Sequence, residues 1–461
     1  MKQRRLNLSR KWLIFTVTAT GTFMGTLDGG VVNIALPSMA GEFNVGIESI
    51  QSVVSVYLLA VTCFLPVFGK LSDMFSRKKM YLSGFLLFGI GSLLCSLAGS
   101  LPMMIVSRAV QGLGASAMMA NAQAIIAKAF VGKDRGRALG GVGAVVALGS
   151  LAGPAVGGFL IQHWGWQSVF WVNIPVSLIG IWRGIQIIPH FKPKTKIRMD
   201  ISGAAFFILS SFSFLYAMNE GPNKAWTSPV ILGTFAAAGL FFLLFYYRER
   251  VAQTPFIGLD IFKIPAISYG YVVAVLGFMS IFTNAVLFPF YAAYILHIDP
   301  VQTGLLVLPF PVALAVSSTV SGVLSERYPA RIITTAGLGF AFMGAVMFAF
   351  VGENPSFAYI VLAQVIFGCG SGTFQIPNNN TVISAAPKNK LGIVSSVNAL
   401  ARNAGMIMGI ACSVAVYAAV QGHFEQAGLD SKNAFLRGYQ AAMFLGAALA
   451  AAGGIVSAKR A

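Results

Sequence analysis

The sequence predicts an all-α polytopic membrane protein. Three observations carry that reading. Of 461 residues, 56% are hydrophobic and only 10% charged, with a mean hydropathy of +0.76. A soluble chain of this length needs far more polar surface. Apolar runs recur along the whole length, many of them longer than the ~18 residues that read as a transmembrane helix. Basic residues cluster in alternate connections, at Lys2–Lys11, Lys70–Lys79, Lys128–Arg137, Lys192–Arg198 and Lys459–Arg460. The connections around Ser100, His163, Asp299 and Glu353 are almost bare of Lys and Arg. That alternation is the positive-inside pattern. It places both termini in the cytoplasm, requires an even number of spans, and argues against reading the net charge of +18 as a nucleic-acid surface.

Fourteen spans are read, near 12–36, 49–69, 80–99, 102–127, 137–162, 167–188, 201–218, 229–247, 267–295, 303–324, 332–351, 356–385, 391–420 and 437–458. The first begins like a signal peptide, with a basic start and a small-residue stretch at Ser38–Gly41. Its core is too long for one and carries Asp28, so it reads as a retained span. The longest connections are 189–200, 248–265 and 421–435, and Pro255–Lys263 reads as an amphipathic stretch at the cytoplasmic surface. Cys63, Cys95, Cys369 and Cys412 all fall in spans and read as small packing residues rather than a disulfide framework.

An internal repeat is visible. Arg108-Ala-Val-Gln111-Gly112-Leu-Gly114 matches Gln364-Val-Ile-Phe367-Gly368-Cys-Gly370, and Gly69-Lys-Leu-Ser-Asp73 matches Gly322-Val-Leu-Ser-Glu326. The chain therefore reads as an N-terminal six-helix bundle (1–188), two inserted helices with their linkers (189–265) and a C-terminal six-helix bundle (266–461). Halves related in this way place a substrate site at their interface near the bilayer midplane. The repeat maps Arg108 onto Gln364 and Asp28 onto Asn284, so charges in one half face amides in the other.

Of the 14 carboxylates, Asp28 alone is read at membrane depth. Such a group is unfavourable there by roughly 2.5–3.5 kcal/mol and by default marks function. It needs a partner, a proton or a cationic ligand. Arg108 is the simplest partner, because both residues lie about 9–14 Å from the external ends of their spans at 1.5 Å per residue. A permanent structural ion pair is the plainer alternative. The stretch from Gly69 through Asp73 to Arg77, Lys78 and Lys79 reads either as an ordinary positive-inside loop or, from the placement of Gly69 and Asp73, as a conformational latch. Asp73 suits a helix N-terminus of the other half, and Arg77 suits a carboxylate or helix-end carbonyls. Gly149, Gly153 and Gly157 repeat at four-residue spacing, with Pro154 and Gly158 beside them. Small residues at that spacing let another helix approach closely, and Pro154 removes a backbone donor. Tyr57, Asn121, Gln123, Asn284, Tyr291, Gln364 and Asn378 are the candidate cavity walls, although polar residues in spans serve helix–helix hydrogen bonding equally well. No phosphate-binding loop and no metal-ligand spacing is present, and His163, His190, His297 and His423 are scattered over loops. No catalytic residue, metal or cofactor is expected.

These stretches, with Leu27-Asp28-Gly29-Gly30-Val31-Val32-Asn33-Ile34-Ala35-Leu36-Pro37 and Trp164-Gly-Trp166-Gln167…Phe170-Trp171-Val-Asn173-Ile-Pro175, resemble the major facilitator superfamily, in particular its 14-helix drug:proton antiporters. Gly30 stands where a Thr or Ser is more usual, which suggests a wider cavity there, and Gln167 replaces an Arg. The resemblance implies a major facilitator fold of two six-helix bundles plus two central helices, in a bacterial cell membrane. It implies a monomer that exports amphipathic monocationic or zwitterionic drugs by alternating access, driven by the proton gradient. Asp28 and Arg108 would be the proton-coupling pair, and the Gly153-Pro154 stretch the antiporter hinge. An exporter of one specific metabolite, peptide or siderophore on the same scaffold is the alternative. A nutrient symporter and a non-transporting membrane sensor fit less well.

Overall fold

A computed structural model describes residues 8–130, 133–189, 200–252, 255–325, 327–387 and 390–460. The side chains of Asp73 and Gln123 lie outside the described residues. The first part of the chain forms α1 (Leu8–Phe43), α2 (Ile47–Ile50), α3 (Ser52–Met74), α4 (Arg77–Ser96), α5 (Leu101–Ala129), α6 (Lys133–Trp164), α7 (Ser168–Trp171) and α8 (Asn173–Ile187). The middle holds α9 (Ile201–Lys224), α10 (Pro229–Val251) and a 3₁₀ turn at Leu259–Lys263. The rest forms α11 (Pro265–Tyr294), α12 (Pro300–Val307), α13 (Pro309–Leu324), α14 (Ala330–Ala349), α15 (Phe357–Ser384), α16 (Leu391–Gln426) and α17 (Ser431–Ala458).

Every predicted segment falls on a helix or on two helices parted by a single residue. Those residues, Gln51, Val172 and Leu308, keep helical dihedrals (φ/ψ −54°/−27°, −57°/−31° and −54°/−37°), so each pair continues as one rod. Among the described residues, twelve rods are long and apolar enough to cross a membrane, against the fourteen spans predicted. The helices outside that set are α1 and α5. They carry Asp28 and Arg108 together with Asn33, Gln111 and Asn121, which lower their mean hydropathy.

The polar connection residues start the helices. Asp200, Ser228, Asp299, Ser356 and Asp430 each accept from a backbone N–H in the first turn, at 2.8–3.4 Å. These caps satisfy donors that the first turn leaves without an intrahelical partner. Asp200 also accepts from Ser202 Oγ (2.8 Å) and from Arg248 Nε (2.9 Å), tying α9 to α10. Burial opposes its charge, yet Arg248 and these donors outweigh burial and hold the carboxyl below the usual carboxylate range. A depressed carboxylate stabilises the fold at pH values above its unfolded pKa and ceases to do so as pH falls through its folded value. The difference in thermal stability between the wild type and Asp200→Asn should therefore be full at neutral pH, start to shrink near about pH 4, and vanish only below the depressed folded value.

The two halves share a core at one end, and further along Leu59 and Cys63 of α3 pack with Ile407 of α16. Towards the end of the bundle away from the chain termini, Leu36, Met39 and Ile50 join Phe288, Phe290 and Tyr291 in one buried cluster. Towards the termini there are two cores, one around Ile14, Phe85 and Ile126, the other around Phe207, Phe256 and Val394, which also takes in Val67 of α3. The bundle is thus sealed at its distal end. Helix α11 is central, with 72% of its span buried, whereas α10 is peripheral at 17%.

The Pro255–Lys263 stretch is amphipathic, as its sequence predicts. Phe256, Ile257 and Ile261 are buried, while Phe262 is exposed. Glu249, at the end of α10, holds the stretch by accepting from the backbone N–H groups of Phe256 (2.5 Å), Ile257 (3.1 Å) and Gly258 (2.7 Å). Glu249→Ala orphans these buried donors. It should lower stability by about 1–3 kcal/mol, measured by thermal unfolding in detergent, and an unchanged melting temperature would show that water replaces the carboxylate.

Candidate functional site

The charged pair lies where four helices of the first half meet α1. Arg108 Nη1 donates to Asp28 Oδ2 at 2.7 Å, and both residues are buried, at 0% and 2% exposure. The other oxygen of Asp28 accepts from Gln111 Nε2 (2.9 Å) and Asn173 Nδ2 (3.2 Å). Arg108 also donates to Val53 O through Nε (2.9 Å) and to Gln111 Oε1 (2.5 Å), and its guanidinium lies 4.3 Å from the centre of the Tyr57 ring. Gln111 Nε2 reaches Ser92 Oγ as well, at 2.9 Å. Asp28 comes from α1, Val53 and Tyr57 from α3, Ser92 from α4, Arg108 and Gln111 from α5, and Asn173 from α8. Gln111 is one turn beyond Arg108, so both side chains leave α5 on one face.

Such an arrangement satisfies a buried ion pair on both sides, which a bare pair would not be. The ionised carboxylate accepts from Arg108, Gln111 and Asn173. Protonation of Asp28 would cancel the charge that Arg108 answers, while Arg108 would keep Val53 O, Gln111 and the Tyr57 ring. The pair is therefore chemically able to change partners without leaving the guanidinium bare.

The small residues of α6 serve two neighbours. Gly149, Gly153 and Gly157 face Thr26, Gly30 and Val31 of α1, in the same half. A Cβ on Gly153 would lie 3.0 Å from Gly30 Cα. Gly158 instead meets α12 of the other half, where an added Cβ would lie 2.3 Å from Pro300 O. A Cβ added to Gly304 of α12 would likewise lie 2.3 Å from Pro154 O. Pro154 and Gly158 thus form a seam between the halves, and the four-residue glycine repeat packs α6 on α1. Gly30 belongs to that packing. Its missing side chain admits α6 rather than widening a cavity.

Two contacts of this stretch stay within the first half. Arg77 Nη1 donates to Ala124 O (3.3 Å) on α5, and Lys78 Nζ to Ile185 O (2.6 Å) on α8. A Cβ on Gly69 would meet nothing within 4 Å. Lys70 reaches beyond the bundle: it donates to Pro255 O (3.0 Å) and sits 5.1 Å from the Phe256 ring centre.

The described predicted wall residues do not converge on one site. Tyr57 belongs to the charged pair. Asn284 accepts from Tyr439 OH (3.2 Å), Tyr439 stacks on Tyr291 at 4.9 Å, and Tyr291 OH donates to Gly352 O (2.7 Å). Asn378 donates to Gly270 O (2.9 Å) and accepts from Arg460 Nη1 (3.0 Å). Asn121 is fully buried and donates to Ala117 O (2.8 Å), and its Oδ1 has no partner. Gln364 is buried, and no hydrogen bond joins it to Asn284 among the described residues. A cavity of ≈ 260 Å³ at the distal end is lined by Ile34, Pro37, Ser38, Pro289, Tyr294 and Thr303, not by these residues.

Some participants escape a search for lone carboxylates. Asn173 braces Asp28 and Ser92 braces Gln111, and the stretch that carries Asn173 shows nothing in the sequence of that contact. Arg402 stands well inside the predicted span 391–420, as conspicuous by composition as Arg108.

The described residues thus form a bundle of transmembrane-length helices that encloses a buried ion pair. The chain belongs to the major facilitator superfamily: the family model of that description matches residues 18–410. It is 34% identical to the riboflavin transporter RibZ of Clostridioides difficile, over 88% of both chains. It is 31% identical to the multidrug resistance protein Stp of Mycobacterium tuberculosis, over 90% of this chain and 78% of that one. In fold it matches the crystal structure of the POT family transporter PepTSo with a TM-score of 0.71 at 15% identity, covering 98% and 97% of the two chains. The chain is therefore a membrane transporter and not an enzyme.

Proposed function

We propose that the chain is a proton-coupled exporter of amphipathic small molecules, working by alternating access. All fourteen helical rods would cross the membrane, with both termini cytoplasmic and the sealed distal end external. The observation that carries this reading is the buried Asp28–Arg108 pair with its bracing amides. A charge so deep is unfavourable unless used, and Arg108 keeps other partners when Asp28 is protonated.

A contiguous set of contacts leads from the pair to the seam. Asp28 and Gly30 sit two residues apart on α1. Gly30 bears on Gly153 and Pro154, and Pro154 O bears on Gly304 in the other half. A proton taken up by Asp28 would loosen α1 from α5, and α1 would shift against α6 at its contact with α12. The inward proton gradient would then drive release of solute to the outside. The test is transport in proteoliposomes under an imposed pH gradient, wild type against Asp28→Asn. Equal gradient-driven rates would refute the coupling assignment.

A second reading is transport of one specific solute. The 34% identity to a riboflavin transporter over 88% of both chains favours it. Competition between a flavin and a panel of structurally unrelated dyes separates the two, because a multidrug carrier is inhibited by many of them and a specific carrier by the flavin alone.

A further inference from the structure

We infer that Arg402 is a recognition point for an acidic group, a carboxylate or phosphate-type oxyanion, on the transported molecule. This rests on the transporter reading above and narrows its substrate class to zwitterions and anions with an apolar body.

Arg402 lies in α16, which begins at Leu391, about 16 Å along the helix axis at 1.5 Å per residue. It is partly buried, and its Nε is wholly buried with no hydrogen-bond partner. It forms no ion pair or hydrogen bond with any described residue. Its position on the helix shows where it points. One turn before it, Ala399 packs against the first-half cluster that contains Tyr57, Met118 and Ala122. One turn after it, Gly405 lies against Val275 and Phe278 of α11. Arg402 therefore occupies the stripe between the α11 contact and the face towards the first half. That stripe borders the space between the halves, where a carrier of this architecture holds its solute.

Among the described residues no carboxylate answers it. In α11–α17 and their connections the acidic residues are Asp299, Glu326, Glu353, Glu425 and Asp430, all in connections or close to helix ends. Asp28 is already engaged by Arg108, Gln111 and Asn173. The Asp28–Arg108 pair is neutral as a unit, so Arg402 leaves the inter-half region with a net positive charge. An isolated cation in a low-dielectric region is strongly disfavoured unless paired, and a solute that brings a negative oxygen removes that penalty. The planar guanidinium fork fits a carboxylate or phosphate through two parallel hydrogen bonds. A simple monocation finds repulsion here, not a partner.

The test uses two xanthene dyes of one ring system: fluorescein, which is anionic at neutral pH, and a rhodamine ester, which is cationic. Binding to the purified full chain in nanodiscs is measured by fluorescence polarisation for the wild type, Arg402→Gln and Arg402→Lys. Fluorescein should bind the wild type and weaken about 10- to 100-fold in Arg402→Gln, the effect of one charge-assisted contact. The rhodamine ester should bind no more weakly in Arg402→Gln, and Arg402→Lys should fall between. If Arg402→Gln does not fold, Arg402→Lys carries the test through the ratio of the two affinities, and an unchanged ratio overturns the proposal. Failure of the wild type to bind fluorescein also overturns it, as does equal weakening of both dyes, which marks a packing role. Transport of the dyes under a pH gradient is read separately. Arg402-dependent binding without gradient-driven movement of either dye would uphold the site and defeat the exporter reading.

Discussion

In proteoliposomes with an imposed pH gradient, Asp28→Asn is expected to transport no faster than protein-free vesicles. The amide cannot take up a proton, and it removes the negative charge 2.7 Å from Arg108. Because Arg108 is fully buried, the variant should also lose stability, by about 3–5 kcal/mol, as expected when one member of a buried pair is deleted. That second effect would by itself reduce transport, so the double variant Asp28→Asn/Arg108→Gln is essential. It removes the orphaned cation and should recover most of the lost stability. If the pair is the coupling site, the double variant stays inactive while folding well. If the pair is only a strut, activity returns with stability. Asn173→Ala is the milder counterpart. It takes one donor of 3.2 Å from Asp28 Oδ1 and leaves the ion pair intact.

Gly158→Val should abolish transport by a different route. The Cβ of any side chain there would lie 2.3 Å from Pro300 O and 3.0 Å from Val301 Cα. Backbone atoms cannot rotate away as a side chain can, so α6 and α12 must separate and the distal seal cannot form. The protein should fold, since this seam closes in only part of an alternating-access cycle, but remain held open at that end. Spin labels on His163 and Gln302, exposed residues of α6 and α12, read the separation. The distance should lengthen in Gly158→Val and stay short in the wild type. Gly143→Val is the matched control on the same helix, because a Cβ there meets nothing within 4 Å. An unchanged distance with normal transport would show that the seam is not part of the cycle.

Much of the helical framework is legible in the sequence, because apolar runs of transmembrane length leave little choice of secondary structure. The pair is legible for the same reason: a lone Asp and a lone Arg in apolar runs draw attention. What surrounds them is not. Asn173 reaches Asp28 from α8, and that contact depends on how α8 packs on α1, which no local pattern records. The internal repeat aligns Asn284 with Asp28, yet Asn284 takes its partner, Tyr439, from α17, so a repeat of sequence is not a repeat of contacts. The α6 glycines show that something approaches closely. Only the fold distinguishes α1, against Gly153, from α12, against Gly158. Arg402 is plain in the sequence and is missed when depth is asked of carboxylates alone. Its significance comes from the absence of a partner, which only packing reveals.

The most direct test of the central claim follows the proton itself. Infrared difference spectra of the reconstituted protein, titrated from alkaline to acid pH, report the carbonyl stretch of a protonated buried carboxyl group. The wild type should show such a band appearing as pH falls, and Asp28→Asn should lack it while the rest of the spectrum is preserved. A wild type without the band, or a band that survives in Asp28→Asn, would contradict the assignment of Asp28 as the residue that exchanges the proton.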